Sequence, residues 1–325
     1  MLEPTVHEQL LASPMLTSDP NDADLFYIPH YSRMCSGFNP PEERWDELPD
    51  YLEHYGDYFT RYSNVDHFLM HSVPHYGDKH ADLAIDDSRQ PIIGVLDFKW
   101  SEMIKKPWTY AKSQILPFIT LKSKINPKAK RTIPVFVAMS TNHLAKNSAN
   151  LRKNLSEIFK KIKNSEFIKI SRTSPKSVRD VLSILPTKMG SSDFCIIPPG
   201  DAPTSKRLFD AISHLCIPLI VADYITLPFD GTSINYTQCV LQIPSKDIEK
   251  IPDLVNNFDK NKIKEMRKKL ETVREMFIWD YKNPPVAGQA FWNFAWNLYY
   301  KSEMMKPYRN SEMTGYDNDP PTILF

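Results

Sequence analysis

Glycine is scarce. Nine of the 325 residues are Gly against 27 Pro, which excludes long flexible linkers and favours stiff loops at helix and strand boundaries. Cysteine is scarce too. Cys35, Cys195, Cys216 and Cys239 are the only four, and no two of them form a CxxC pair, which argues against a structural zinc site. Cys195 and Cys216 fall in or beside apolar runs, where a cysteine is either a small core residue or half of a disulfide. No apolar stretch reaches the roughly 18–20 residues of a membrane-spanning helix, and none has the form of a signal peptide. Neither sign of charge prevails: 40 basic and 39 acidic residues leave +1. That balance excludes a protein held to nucleic acid by bulk charge.

What is present supports sizeable cores. Hydrophobic residues make up 42%, and 325 residues is long for a single core, so two domains are expected. The rest of the chain is arranged around residues 192–229. A short apolar run with Phe194, Ile196 and Ile197 ends in Pro198-Pro199-Gly200-Asp201, as a buried strand ending in a turn would. Leu208, Phe209, Ala211, Ile212 and Leu215 follow at helical spacing, with Thr204 or Ser205 as cap. Residues 217–222 read as a second strand. Strand, Gly-containing loop, helix and strand form a βαβ crossover, hence a parallel sheet.

The helix entrance of that unit is where an anion would bind, because unpaired N–H groups and the positive dipole end converge there. Gly200 permits close backbone approach, Ser205 adds a hydroxyl, and Lys206 and Arg207 place cations where the dipole alone disfavours them. An arginine can grip a diphosphate with two parallel bonds, and Asp210 could accept from ribose hydroxyls. The competing reading is an ordinary surface pair between Arg207 and Asp210.

The run Phe194-Cys195, Pro198-x-Gly200-Asp201, Ser205-x-Arg207-Leu208-Phe209-Asp210-Ala211-Ile212, Cys216-Ile217-Pro218-Leu219-Ile220-Val221, Asp223 and Leu227-Pro228-Phe229 resembles the signature of exostosin-type glycosyltransferases, family GT47. Arg152 with Leu155, the segment from Asp22 to Pro29, and Asp66-His67-Phe68 match as well. The resemblance implies a GT-B fold: two Rossmann-like α/β domains facing a cleft, with a C-terminal helix crossing back to the first. It implies inverting, metal-independent transfer of a sugar from a nucleotide donor, with UDP expected, to a glycan or glycoprotein acceptor, and no further cofactor. Arg207 and Ser205 would hold the diphosphate, with Gly200 and Asp201 shaping the loop and Lys206 and Arg152 adding positive charge. Asp210 would meet the ribose, and Asp223 with the Leu227-Pro228-Phe229 segment would line the cleft on the donor side. It also implies a Golgi or endoplasmic reticulum lumen, possible oligomers, and a native N-terminus with a membrane anchor preceding this chain.

Along the chain, residues 6–13 read as a helix, 25–29 as a strand, 41–62 as a helical stretch interrupted by Pro49, and 65–72 and 91–98 as strands. These belong to an acceptor-side domain, 1–129, which ends in an irregular connector over 107–127. The nucleotide-sugar domain, 130–285, opens with a strand from Arg131. Helices follow at 149–163 and 176–185, with a strand at 167–170 between them. After the central unit come a strand at 240–243 and helices at 248–258 and 262–277. An aromatic crossover helix, 286–306, precedes a tail, 307–325.

A general base for the acceptor hydroxyl would come from the histidine-rich first domain. His30 follows the 25–29 strand, and His75 and Asp78 follow the 65–72 strand, where relatives carry an adjacent His-Asp pair that is missing here. His67 reads as structural. The Asp22–Asp24 and Asp317–Asp319 pairs read as no metal site. The alternatives are a catalytically inactive relative that binds a glycan or partner, and a sugar-nucleotide epimerase. Two N-x-S/T sequons occur, at Asn154 and Asn235.

Overall fold

The computed structural model describes residues 2–31, 57–60, 62–72, 91–97, 111–120, 130–140, 146–170, 175–200, 202–279 and 285–306. Two parallel sheets organise them. The first unit runs α1 (Leu2–Leu11), β1 (Phe26–Ile28), the short α2 (Asp57–Thr60), β2 (His67–His71), β3 (Ile92–Val95) and β4 (Ser113–Ile115), with strand order β1-β2-β3-β4. Every pairing is parallel. β4 corrects the sequence reading, which left 107–127 irregular. Its Ser113-Gln114-Ile115 carries no hydrophobic run, yet all three residues are buried.

The second unit runs β5 (Ile133–Met139), α3 (Lys146–Phe159), β6 (Glu166–Lys169), α4 (Pro175–Gly190), β7 (Ser192–Ile197), α5 (Lys206–Ser213), β8 (Ile217–Ile220) and β9 (Leu241–Gln242). Its order, β6-β5-β7-β8-β9, is doubly wound, and the direction of winding reverses between β5 and β7. Ligands of such sheets bind at that reversal, outside the carboxyl ends of the strands. α4 continues to Gly190 through Pro186, where the sequence reading stopped at 185. A proline there leaves the Leu182 carbonyl without its helical partner, and Leu182 is an exposed residue. The expected helix at 248–258 divides into a 3-10 helix, Ser245–Lys250, and α6 (Ile251–Asn256). α7 (Lys260–Val273) and α8 (Ala290–Met305) complete the fold.

α8 crosses back onto the first sheet. Phe291, Phe294 and Leu298 join Trp279, Phe68, Met70, Ile92 and Val6 in one buried cluster. Each fully buried aromatic or aliphatic side chain there stabilises by about 1.5–3 kcal/mol. The Trp279 indole donates to Pro117 O at 3.2 Å. Lys301 Nζ donates to Ala111 O at 2.9 Å and Ser113 O at 2.7 Å, which ties α8 to β4. The aromatic density of 288–300 is therefore both core packing and a crossover. Phe118, in the connector, packs against this cluster and against the larger core of the second unit.

Cys195 of β7 and Cys216, just before β8, form a disulfide across adjacent strands, with Cα atoms 5.7 Å apart and a sequence separation of 21. Both residues are buried. Closing a loop of that size stabilises the native state by about 3 kcal/mol through the unfolded chain. The double variant Cys195→Ala/Cys216→Ala should lose about that amount in urea unfolding, and reductant should not destabilise it further. An unchanged midpoint would contradict a stabilising crosslink.

Candidate active site

The loop between β7 and α5 is shaped by short contacts. Gly200 N donates to Ala202 O at 2.9 Å. A Cβ at Gly200 would lie 3.3 Å from Thr204 O and 3.6 Å from Ser205 Cβ, so a side chain there would press on the Thr204 carbonyl and shift the turn by a few tenths of an ångström. Ser205 has the extended backbone of an N-cap, with φ −151° and ψ 153°, but makes no capping hydrogen bond. Its hydroxyl and that of Thr204 are both buried without a hydrogen-bond partner among the described residues. A buried unpaired hydroxyl costs about 1–3 kcal/mol, and two side by side at a helix entrance are an unmet demand for an acceptor or donor. Asp201 lies outside the described residues.

Three basic side chains surround this loop, and they do different things. Arg207, in the first turn of α5, donates from Nε to Ala138 O of β5 at 2.6 Å. Arg152, on α3, is 7% exposed. It donates to Pro199 O from Nε (3.2 Å) and Nη2 (2.6 Å), and to Ser140 O from Nη1 (3.1 Å). It therefore joins the exits of β5 and β7 across the reversal of the sheet. Lys206 pairs with Asp210 at 2.6 Å. The surface pair considered from sequence exists in kind, but its partner is Lys206 at i,i+4 and not Arg207 at i,i+3. Asp223, beyond β8, accepts from Ser245 N at 3.0 Å and from the Ser245 hydroxyl.

An open cleft of about 560 Å³ lies against these strand exits, lined by Pro199, Gly200, Ala202, Asp223 and Ser245, with Leu151 and Asn154 of α3 opposite. A larger groove of about 800 Å³ runs along α3 and β6 beside Lys153, Lys160 and Phe167. None of the expected site residues lines it, whereas Gly200 and Asp223 line the smaller cleft, which lies beside the loop carrying Ser205 and Arg207 and is the candidate site.

At the first sheet, His30 follows β1, its N–H donating to Ile28 O at 2.8 Å. Burial pushes its imidazole down to about 4, so it is neutral at neutral pH. His67 is structural: it stacks on Phe26, meets Phe59 edge-on, and bonds to Asp66 at 2.8 Å. His75 and Asp78 lie outside the described residues. Two buried acids at this end escaped the sequence reading. Glu3 of α1 accepts from Ser72 N at 3.1 Å, just past β2. Asp97, two residues past β3 and 0% exposed, accepts from Thr204 N at 2.5 Å.

That last bond joins the first sheet to the loop before α5. The sequence signal for it was a lone acid in the apolar run Ile92-Ile93-Gly94-Val95-Leu96-Asp97-Phe98: a charge at a buried strand exit requires a partner. The helix entrance also supplies a favourable dipole.

The exostosin GT47 domain model matches residues 1–258. Among curated proteins, a probable arabinosyltransferase of Arabidopsis thaliana is 29% identical over 295 residues, covering 85% of this chain and 62% of the relative. A probable glucuronosyltransferase of Oryza sativa subsp. japonica is 24% identical over 273 residues, covering 78% and 63%. A probable beta-1,4-xylosyltransferase of Arabidopsis thaliana is 23% identical over 308 residues, covering 88% and 72%. The chain thus spans a little over three fifths of the first two. Among solved structures, a mutant of S. aureus TarM in complex with fondaparinux, alpha-GlcNAc-glycerol and UDP aligns with a TM-score of 0.41 at 11% identity, over 72% of this chain and 50% of the other.

The Asp97 contact makes a direct expectation. Asp97→Ala leaves the Thr204 N–H buried and unpaired, so it should cost about 1–3 kcal/mol in chemical unfolding. Asp97→Asn keeps an acceptor oxygen and should cost clearly less. Equal losses for the two variants would contradict a role for the hydrogen bond.

Proposed function

The chain belongs to the exostosin GT47 family, and on that premise we propose that it transfers a sugar from a UDP-linked donor to a glycan or glycoprotein, with inversion and without a metal. The observation that carries the proposal is the pair of buried, unpartnered hydroxyls, Thr204 and Ser205, at the entrance of α5 beside Arg207. A diphosphate supplies acceptor oxygens of the kind those groups lack, and the helix end favours its charge.

Inverting transfer is an in-line displacement: an acceptor hydroxyl attacks the anomeric carbon as the nucleoside diphosphate leaves. Leaving-group charge must be stabilised, and the attacking hydroxyl must lose a proton. In the proposed site Ser205, Thr204 and the Arg207 guanidinium stabilise the diphosphate. Gly200 shapes the loop, and Arg152 holds it by joining Pro199 to Ser140. Asp210 exchanges Lys206 for ribose hydroxyls, and Lys206 is then released toward the phosphates. Asp223 lines the donor side of the cleft. The base comes from His30, His75 or Asp78. His30 enters this scheme in its neutral, proton-accepting form, because burial disfavours the imidazolium.

The buried Cys195–Cys216 disulfide supports the lumen of the Golgi or endoplasmic reticulum as the working compartment, since such bonds persist in oxidising surroundings. A second reading, a relative that binds a glycan or partner without turnover, draws support from Arg152. Its guanidinium is turned onto main-chain carbonyls and away from the role of a phosphate grip.

Calorimetric titration with UDP tests the proposal. Binding should persist in EDTA, and Arg207→Ala should weaken it roughly ten- to a hundredfold, the value of a charged hydrogen bond. Absence of UDP binding would overturn the donor assignment, and loss in EDTA would overturn the metal-free part. Undiminished UDP binding without transfer to any acceptor would favour the second reading.

A further inference from the structure

Both sequon asparagines are exposed, and the structure holds them in different surroundings. Asn154 lies within α3, exposed and lining the cleft. The hydroxyl of its Ser156 donates to Lys153 O at 2.7 Å, a bond back along the helix that leaves Asn154 out. Asn235 is exposed in the loop between β8 and β9, capping the 3-10 turn Tyr236–Gln238. Its Oδ1 accepts from Thr237 N at 3.2 Å and from Thr237 Oγ1 at 2.6 Å. Here the carboxamide and hydroxyl of the sequon are already joined in an Asx turn, which polarises the amide whose nitrogen would be modified. The intervening Tyr236 is buried, its hydroxyl donating to Pro228 O at 2.8 Å, so the loop is anchored beneath while Asn235 and Thr237 face outward.

We propose that Asn235 is an N-glycosylation site and that Asn154 is not. The inference rests on the lumenal part of the functional reading. The co-reactant is an oligosaccharide linked to a lipid diphosphate. A bond forms between Asn235 Nδ2 and the first sugar carbon, the bond from that carbon to the phosphate oxygen breaks, and the lipid diphosphate departs. One Nδ2 proton goes to a base of the transferring enzyme. A bulky, hydrated glycan is accommodated on an exposed loop. On Asn154 it would fill the mouth of the cleft.

The test is production of the full chain through a eukaryotic secretory pathway. Intact mass is measured before and after peptide-N-glycosidase, and the state of Cys195 and Cys216 is read by thiol alkylation. One glycan is expected on the wild type and on Asn154→Gln, and none on Asn235→Gln or on Thr237→Ala, which keeps the asparagine. An unmodified chain with the disulfide formed would overturn the proposal while leaving the lumenal reading intact, and a glycan on Asn154 would overturn it as well. An unmodified chain with free thiols at Cys195 and Cys216 would overturn the lumenal reading and the proposal together.

Discussion

The hydrogen bond from Thr204 N to the buried Asp97 carboxylate is the constraint on which the arrangement of the candidate site depends. A carboxylate with no exposure to water costs several kcal/mol unless it is paired. Asp97 meets that requirement at the entrance of α5, where N–H groups and the helix dipole both favour a negative charge. One end of the bond belongs to the first sheet and the other to the loop that carries the family signature. The loop is therefore positioned by both units. Arg152 and Arg207 add to the same effect from within the second unit, by joining α3 and α5 to the carboxyl ends of β5 and β7. Gly200 lets the chain pass close to the Thr204 carbonyl in this turn.

A second dependence runs through the C-terminal helix. The family match ends at residue 258, yet the core of the first sheet is completed by Trp279 and by Phe291, Phe294 and Leu298 of α8. Lys301 fixes the same helix to the carbonyls of Ala111 and Ser113. The first unit is thus stabilised by residues that lie beyond the second in sequence. Asp97 is held in place by a sheet whose packing requires α8. A substitution in α8 would therefore reach the loop before α5 through Asp97, without touching the cleft.

The parts legible in the sequence were those with a local signal. The βαβ unit around Gly200 announced itself by an apolar run, a Pro-Pro-Gly turn and helical spacing, and β5 to β8 follow that reading closely. Residues whose role comes from distant contacts were not legible. β4 is too short and polar to look like a strand, and is buried because α8 lies over it. Pro186 looked like a terminus, but α4 tolerates it where Leu182 faces solvent. Lys206 and Arg207, adjacent in sequence, are directed to different partners by the helical turn, one to Asp210 and the other to Ala138. Asp97 and Glu3 are single acids whose partners lie at Thr204 and Ser72. Cys195 and Cys216 were a pair only as one of two open readings, until the register of β7 and β8 brought them together.

Amide hydrogen exchange with and without saturating UDP tests most directly the claim that the donor diphosphate binds at the Asp97-anchored entrance of α5. The account predicts that the Thr204 amide exchanges slowly even without ligand, and that UDP slows exchange at Gly200, Ala202 and residues 205–208. Exchange at those positions unchanged by bound UDP, with protection appearing instead along α3 and β6, would contradict it.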